Sequence, residues 1–327
     1  MLAVVTGAAG FIGFNLVRQL VADGFRVRAA DISSLSLVDG IDVEQHRIDV
    51  LDPATLRSAF EGADVVFHLA AMISIAGDPT GMLRRVNVQG AHNAATAALD
   101  VGVERYVHCS SVHAFDLETC GPSLDETGPP AVGAHVPLYD RSKYDGEQRV
   151  RSVIEQGLDA VIVNPTGVIG PHDHAPSRTG TTIARFLDGG IPVTIGGGFD
   201  FVDVRDVVDA MIASVARGRT GENYLLSGTR ISIHELGQLV AAKAGTRPPK
   251  LSLPLGLVAP FASLVHRLTP VHLEPIFTPD SMHALRFSPS VSHYKAATDL
   301  GFTARPIHVT INDTVEWIQD ARDSQRK

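Results

Sequence analysis

The chain opens with Leu2-Ala3-Val4-Val5-Thr6, an uncharged run with the length of a strand buried on both faces. Gly7, Gly10 and Gly13 follow at once, and the apolar positions then switch to helical spacing through Ile12, Leu16, Val17, Leu20 and Val21. Phe25 to Ala30 returns to strand character and ends at Asp31. Val43 to Val50 reads as a further strand, after which Asp52 offers an N-cap with Pro53 at the first helical position. Val65 to Leu69 reads as a buried strand, about Thr80 to Leu99 as one long helix, and Arg105 to Cys109 as another strand. Tyr139 opens a later helical stretch, and Val161 to Asn164 reads as a strand. This alternation predicts an α/β fold: a doubly wound, Rossmann-type parallel sheet with helices on both faces and ligands beyond the carboxyl ends of the strands.

The glycines after the first strand then acquire a function. Gly7 permits a tight turn, Gly10 lets the backbone approach a pyrophosphate, and Gly13 lets the helix pack closely on the sheet. The helix start offers free N–H groups and a partial positive charge to phosphate. An ordinary strand-to-helix turn would share the glycines, and a solvated strand-end acid would share Asp31. Both features at the chain start, flanked by strand and helix, favour a dinucleotide site. A carboxylate at Asp31 accepts hydrogen bonds from ribose hydroxyls and repels a 2′-phosphate, so the expected cofactor is NAD rather than NADP.

Ser110 and Ser111 close the strand that ends at Cys109, and Tyr139 and Lys143 stand four apart on one helix face. Alone, that spacing is common; behind a nucleotide turn it has a mechanism. Bringing a phenol from a pKa of about 10 to about 7 takes roughly 4 kcal/mol of preferential phenolate stabilisation. A nearby ammonium and an oxidised nicotinamide ring could supply it. Lys143 would also bond the nicotinamide ribose, a serine hydroxyl would orient the substrate oxygen, and Tyr139 would exchange the alcohol proton as hydride moves.

Composition narrows the partners. The chain has 327 residues with 28 Lys plus Arg against 36 Asp plus Glu, a net charge of −8 and no basic run, so nucleic acid is an unlikely ligand class. Two cysteines exclude a disulfide-built scaffold, and both read as idle thiols. The longest apolar stretch, Leu251 to Val265, contains two prolines and is too short to span a bilayer. Without a recognisable leader before Leu2, the expectation is a cytoplasmic enzyme acting on a small molecule. The expected division is a nucleotide lobe over residues 1–165, with returns near 201–227, and a mostly substrate-binding lobe over 166–327, interleaved with the first.

Thr6-Gly7-Ala8-Ala9-Gly10-Phe11-Ile12-Gly13, Asp49-Val50, His68-Leu69-Ala70-Ala71, Asn87-Val88-Gln89-Gly90, Ser110-Ser111 and Tyr139 with Lys143 resemble the extended short-chain dehydrogenase/reductase superfamily, the NAD-dependent epimerase/dehydratase family. The resemblance covers nearly the whole chain. It implies Ser111, Tyr139 and Lys143 as catalytic residues, with Ser110 a structural neighbour. It implies a cofactor contact set of Gly7, Gly10, Phe11, Ile12, Gly13, Asp31, Asp49, Val50, Leu69, Ala70, Ala71, Asn87, Tyr139, Lys143 and Pro165, with Asp49 and Val50 beside the adenine. It also implies a homodimer built on two helices, here near residues 88–100 and 140–156.

Within that superfamily, Pro165-Thr166-Gly167-Val168-Ile169-Gly170-Pro171 resembles the entry to the substrate loop, placing Thr166 and Val168 towards substrate. Nucleotide-sugar enzymes of the family typically carry diphosphate-binding arginines before the Phe201 position and before the Lys295-Ala296 segment. Neither is present, although Arg286 could be a displaced equivalent of the second. Dehydratases carry an acid pair where this chain has Val112 and His113. Leu251 to Phe261 resembles the apolar lid of hydroxysteroid dehydrogenases and dihydroflavonol reductases, or is core of a small lobe expected over about Leu251 to Phe287. The leading expectation is therefore an NAD-dependent oxidoreductase of an apolar secondary alcohol or ketone. A nucleotide-sugar 4-epimerase with tightly held NAD is the alternative, and a non-catalytic NAD-binding regulator a remote third. His113 either faces substrate or is bonded to backbone. His172-Asp173-His174 reads as a solvated loop rather than a metal site, and residues 116–137 as a mobile connection.

Overall fold

The computed structural model describes residues 1–73, 77–258, 283 and 285–325. Its centre is a seven-stranded parallel sheet of β1 (Leu2–Thr6), β2 (Arg26–Asp31), β3 (Glu44–Arg47), β4 (Val65–His68), β5 (Arg105–Cys109), β6 (Ala160–Pro165) and, after strands that lie outside it, β9 (Asn223–Leu226). The order across the sheet is β9-β6-β5-β4-β1-β2-β3. The chain winds outward from β1 to β3 and then restarts at β4 on the other side of β1, which opens a crevice at the carboxyl ends of β1 and β4.

Both faces of the sheet are buried, as the uncharged β1 run requires. Val5 packs with Leu16, Val17 and Leu20 of α1 (Phe11–Ala22) on one face. Its neighbour Val4 points the other way, into a cluster with Leu56 and Phe60 of α2 (Pro53–Phe60) and with Ala94 and Ala95 of α3 (Ala91–Asp100). Asp52 caps α2 by accepting a 3.0 Å bond from the Ala54 N–H, with Pro53 at the first turn. The second face is completed by Val150 and Val153 of α4 (Leu138–Ile154).

A smaller sheet joins β7 (Gly167–Ile169), β8 (Gly198–Asp203) and β10 (Thr229–Ser232), with β8 between the other two. Helices α5 (Arg178–Leu187) and α7 (Ile233–Ala244) cover it through Ile183, Phe186, Leu236 and Val240, while α6 (Val204–Arg217) returns to the main sheet through Val207 and Met211. Two more helices, α8 (Tyr294–Leu300) and α9 (Ile307–Gln325), follow.

Three expectations change. The strand expected over 43–50 shrinks to β3, an edge strand whose Glu44, Gln45 and Arg47 are exposed, so only one of its sides finds a partner. The single helix expected from Thr80 to Leu99 is broken into a short turn (Met82–Arg84), a π-helical turn (Arg85–Gly90) and α3, and that π turn carries Asn87. Residues 116–137 are tied down by Asp116, which is buried and bonds the N–H groups of Glu118 and Thr119 and the His135 ring at 2.9 Å. Most of the expected small lobe over about Leu251 to Phe287, and the lid residues from 259 to 261, lie outside the described residues. Of the lid, Leu251–Leu253 pairs in parallel with Val193–Ile195 and Leu255–Val258 forms a short helical turn.

Candidate active site

The glycine turn is packed so tightly that its spacing is a steric requirement. Gly7 has φ +72°, where an L side chain is strained, and a Cβ there would meet Ala70 N at 2.8 Å. A Cβ on Gly13 would lie 2.1 Å from Gly7 O. No side chain caps α1, in contrast to α2 and α7, so the N–H groups of its first turn around Phe11, Ile12 and Gly13 stay available to an anion. Asp31 lies beside this turn: Oδ2 accepts the Ala9 N–H at 3.0 Å and Oδ1 the Ser33 N–H at 2.8 Å. An uncapped helix start within a turn that only glycine can form suits a dinucleotide pyrophosphate.

The rest of the expected cofactor wall converges on the same crevice. Leu69 and Ala70 follow β4 directly over Gly7, and Ala71 is exposed at the mouth. Asn87 fixes the segment beyond them: its amide exchanges two hydrogen bonds with Met72, at 2.8 and 2.9 Å, and donates a third to Ser142 Oγ at 2.9 Å. The π turn thus ties the loop after β4 to α4. Gly146 of α4 allows this approach, since a Cβ there would sit 2.4 Å from Asn87 O. Val50 is buried and its carbonyl accepts from Asn93 Nδ2 at 3.0 Å, while Asp49 Oδ1 receives the Leu51 N–H at 2.8 Å. Pro165 ends β6, buried, on the same side of the sheet.

Ser111, Tyr139 and Lys143 come together where β5 ends and α4 begins. The Ser111 side chain lies near enough to the Tyr139 phenol to favour its ionised form, and its hydroxyl receives the His113 N–H at 3.3 Å. Lys143 is buried and donates to Cys109 O at 3.2 Å. Burial lowers this ammonium below the ordinary lysine value, opposed by Cys109 and the charge of Glu147. Burial pushes the Tyr139 phenol above its ordinary value, Ser111 pulls it down and Asp140 adds to the upward push. The protein's own groups therefore move the phenol away from neutrality, contrary to a simple lysine-driven lowering. The neighbouring thiol, Cys109, is pushed up by burial to about 11, which makes it a poor nucleophile.

Two charged partners were not identified from the sequence. Asp140, next to Tyr139, is buried with Oδ2 3.1 Å from His113 Nδ1. Glu147 is buried one turn beyond Lys143, accepting from Asn164 Nδ2 at 2.6 Å and Asn223 Nδ2 at 3.0 Å, and Asn164 also donates to Ser111 O at 2.9 Å. The four-residue spacing that singled out Lys143 continues to Glu147 and could have flagged it. Asn164 and Asn223 come from strands far apart in sequence.

Reached from Tyr139 through the His113 ring lies an open cleft. Val112, Leu117, Phe199, Phe287, Pro289 and Val291 give it apolar walls, and His113, Thr166 and Asp200 are its main polar points. His113 joins the cleft to the phenol, its ring centroid 5.6 Å from that of Tyr139. Thr166 Oγ1 is held by Asp200 Oδ1 at 2.7 Å. Val168 packs against the main core and is not among the lining residues. Arg286 is exposed, with its guanidinium over the Phe287 ring at 5.1 Å. Among the described residues, no Arg or Lys lines the cleft. The 172–174 loop is less solvated than expected. His172 and His174 pack on Phe14 and Trp317, and Asp173 is buried against Ser177 N at 2.8 Å. No helix among the described residues is long and apolar enough to cross a membrane.

Over its full length the chain is similar to sterol demethylase protein B of Methylococcus capsulatus, 33% identical with 98% of this chain and 99% of the relative covered. It is similar to a putative dihydroflavonol 4-reductase of Synechocystis sp., 33% identical over 97% of this chain and 94% of the relative. The crystal structure of gox2253 superposes with a TM-score of 0.84 at 33% identity, covering 98% of each chain. Residues 3–227 match the model of the NAD dependent epimerase/dehydratase family, and the chain belongs to that family, an enzyme group of the extended short-chain dehydrogenase/reductase type.

Proposed function

We propose that the chain is an NAD-dependent oxidoreductase that moves hydride between nicotinamide and the carbinol or carbonyl carbon of an apolar small molecule. The observation that carries this reading is the cleft reached from Tyr139 through His113, apolar-walled and without an arginine or lysine among its described lining residues. A sugar nucleotide brings a diphosphate for which these walls offer no guanidinium or ammonium partner. The similarity to a putative dihydroflavonol 4-reductase and a sterol demethylase protein supports the same direction.

In this reading Asp31 selects NAD over NADP, and the uncapped start of α1 holds the pyrophosphate. The bound cofactor supplies the hydride acceptor and, when oxidised, a cationic ring. Ser111 holds the substrate oxygen at the phenol of Tyr139, and Tyr139 takes its proton as the carbinol carbon loses hydride. Lys143, anchored on Cys109 O, presents its ammonium to the ribose and the phenolate. Residues 166–327 supply most of the substrate walls, and α3 with α4 forms the proposed contact between two copies in a cytoplasmic homodimer.

The test is the nucleotide carried by freshly purified protein, followed by a screen of apolar secondary alcohols with NAD and NADP. Exchangeable NAD and alcohol-dependent reduction support the proposal. Near-stoichiometric retained NAD with saturable UDP-sugar binding overturns it in favour of a 4-epimerase. Retained NADP overturns the role given to Asp31.

A further inference from the structure

The oxidoreductase reading leaves one cleft residue without a task. His113 sits on the turn after Ser111, lines the cleft and touches the Tyr139 ring edge to face. Its Nδ1 is turned inward, 3.1 Å from the buried Asp140 carboxylate. The contact is at ion-pair distance, and because a carboxylate only accepts, its charge favours the form of the ring that carries a proton on Nδ1. Among the described residues, Nε2 has no hydrogen-bond partner, and the side chain keeps 29% of its surface exposed. An imidazole edge in a cleft whose walls are largely apolar, and whose Thr166 and Asp200 are bonded to each other, is a polar contact open to a ligand.

Resting on that oxidoreductase reading, we propose that His113 is a substrate-reading residue: Nε2 donates a hydrogen bond to an acceptor oxygen of a carbonyl or carboxyl group attached to the carbon next to the reacting one. The preferred substrates are then β-hydroxy or β-oxo carbonyl or carboxyl compounds on an apolar frame, rather than isolated alcohols or ketones. The two rings are close enough that a small molecule whose oxygen is held by Ser111 and Tyr139 brings its neighbouring carbons to the imidazole. Burial works against a charge on His113, but Asp140, by charge and hydrogen bond, raises it above the ordinary histidine value while Lys143 pulls it down. Across the cleft, Asp200 is the other titratable lining group, and its Oδ1 is occupied by Thr166 and Gly228. The donor form of Nε2 is the cation, so recognition of the acceptor weakens as pH rises through the His113 value.

The experiment uses the full chain with NADH and two matched ketones, 1-tetralone and its 2-carboxylic methyl ester. In the oxidative direction it uses NAD with 1-tetralol and 1-hydroxytetralin-2-carboxylate. The first pair reads a neutral acceptor and the second a charged one. Wild type is expected to favour the ester or the hydroxy acid over its plain twin by about tenfold or more in kcat/KM, the size of one hydrogen bond to a charged group. His113→Phe should cost the acceptor-bearing compound about tenfold more than its twin, and His113→Gln, which keeps an N–H donor, should recover part of that difference. NADH affinity by fluorescence reports whether each variant is folded. Turnover of both ketones with no preference, or equal losses on both in His113→Phe, overturns the proposal and leaves the oxidoreductase reading standing. Turnover of no probe in either direction overturns both.

Discussion

Tyr139 stands between two charged pairs of opposite character. Behind it, Lys143 and Glu147 are sealed inside α4, and every described hydrogen bond of Glu147 comes from the amides of Asn164 and Asn223 on β6 and β9. In front of it, His113 and Asp140 form a pair whose histidine opens into the cleft. The sealed pair is tied to three strands and to the Ser111 backbone, so disturbing it disturbs the fold. The open pair is anchored on one side only, so disturbing it alters the chemistry. A carboxylate beside a cation can thus serve stability or tuning, and solvent access decides which.

The largest effect expected is on the phenol that both pairs flank. Tyr139→Phe should lower kcat by about 10³-fold or more while NAD affinity stays within a few-fold, measured by steady-state kinetics and cofactor titration. Substantial remaining turnover would show that the acid–base group lies elsewhere. On the sealed side, Glu147→Ala leaves the buried amides of Asn164 and Asn223 without their acceptor and removes a negative charge that favours the Lys143 ammonium, and should cost about 3 kcal/mol in urea unfolding. Glu147→Gln, which keeps one acceptor for Asn164, should cost less. A neutral result for Glu147→Ala would erase the distinction between the two sides.

On the open side the expected signature is pH. The folded value of His113 is raised by Asp140, so the pair stabilises the fold fully below the ordinary histidine value of about 6.5 and loses that contribution as pH rises through the raised value. Asp140→Asn should therefore lower Tm more at pH 6 than at pH 9, and move the phenol downward by removing an unfavourable charge. A Tm difference independent of pH would assign Asp140 a packing role. The smallest effect should come from the other His–Asp contact, His135 with Asp116, where the histidine is half exposed. His135→Ala should cost under about 1 kcal/mol by the same unfolding measurement.

Much of this molecule is legible along the chain because local rules and the tertiary fold agree. Uncharged β1, the helical spacing of α1, the Asp52-Pro53 cap and the strand over Arg105–Cys109 each satisfy a steric or hydrogen-bonding demand within a few residues. At Gly7 and Gly13 an added Cβ would collide with the backbone of Ala70 and of Gly7, so no larger residue fits. Tyr139 and Lys143 share a helix face by spacing alone. Where the environment overrides the pattern, legibility ends. The helix over 80–99 is interrupted by a π turn because Asn87 is drawn to Met72 and Ser142, and the 172–174 loop is drawn inward by Phe14 and Trp317.

The class of fold and the tight glycine turn can be read from the chain alone, since periodicity and sterics fix them, and the resemblance to a known family singles out Ser111, Tyr139 and Lys143. Only the tertiary structure decided the surroundings of that set. It brought Asn164 and Asn223 to Glu147 from separate strands, turned His113 onto Asp140, and moved Val168 into the core while placing Asp200 behind Thr166. Those contacts join residues distant along the chain or set on different elements, and their strength depends on burial, which no local pattern encodes.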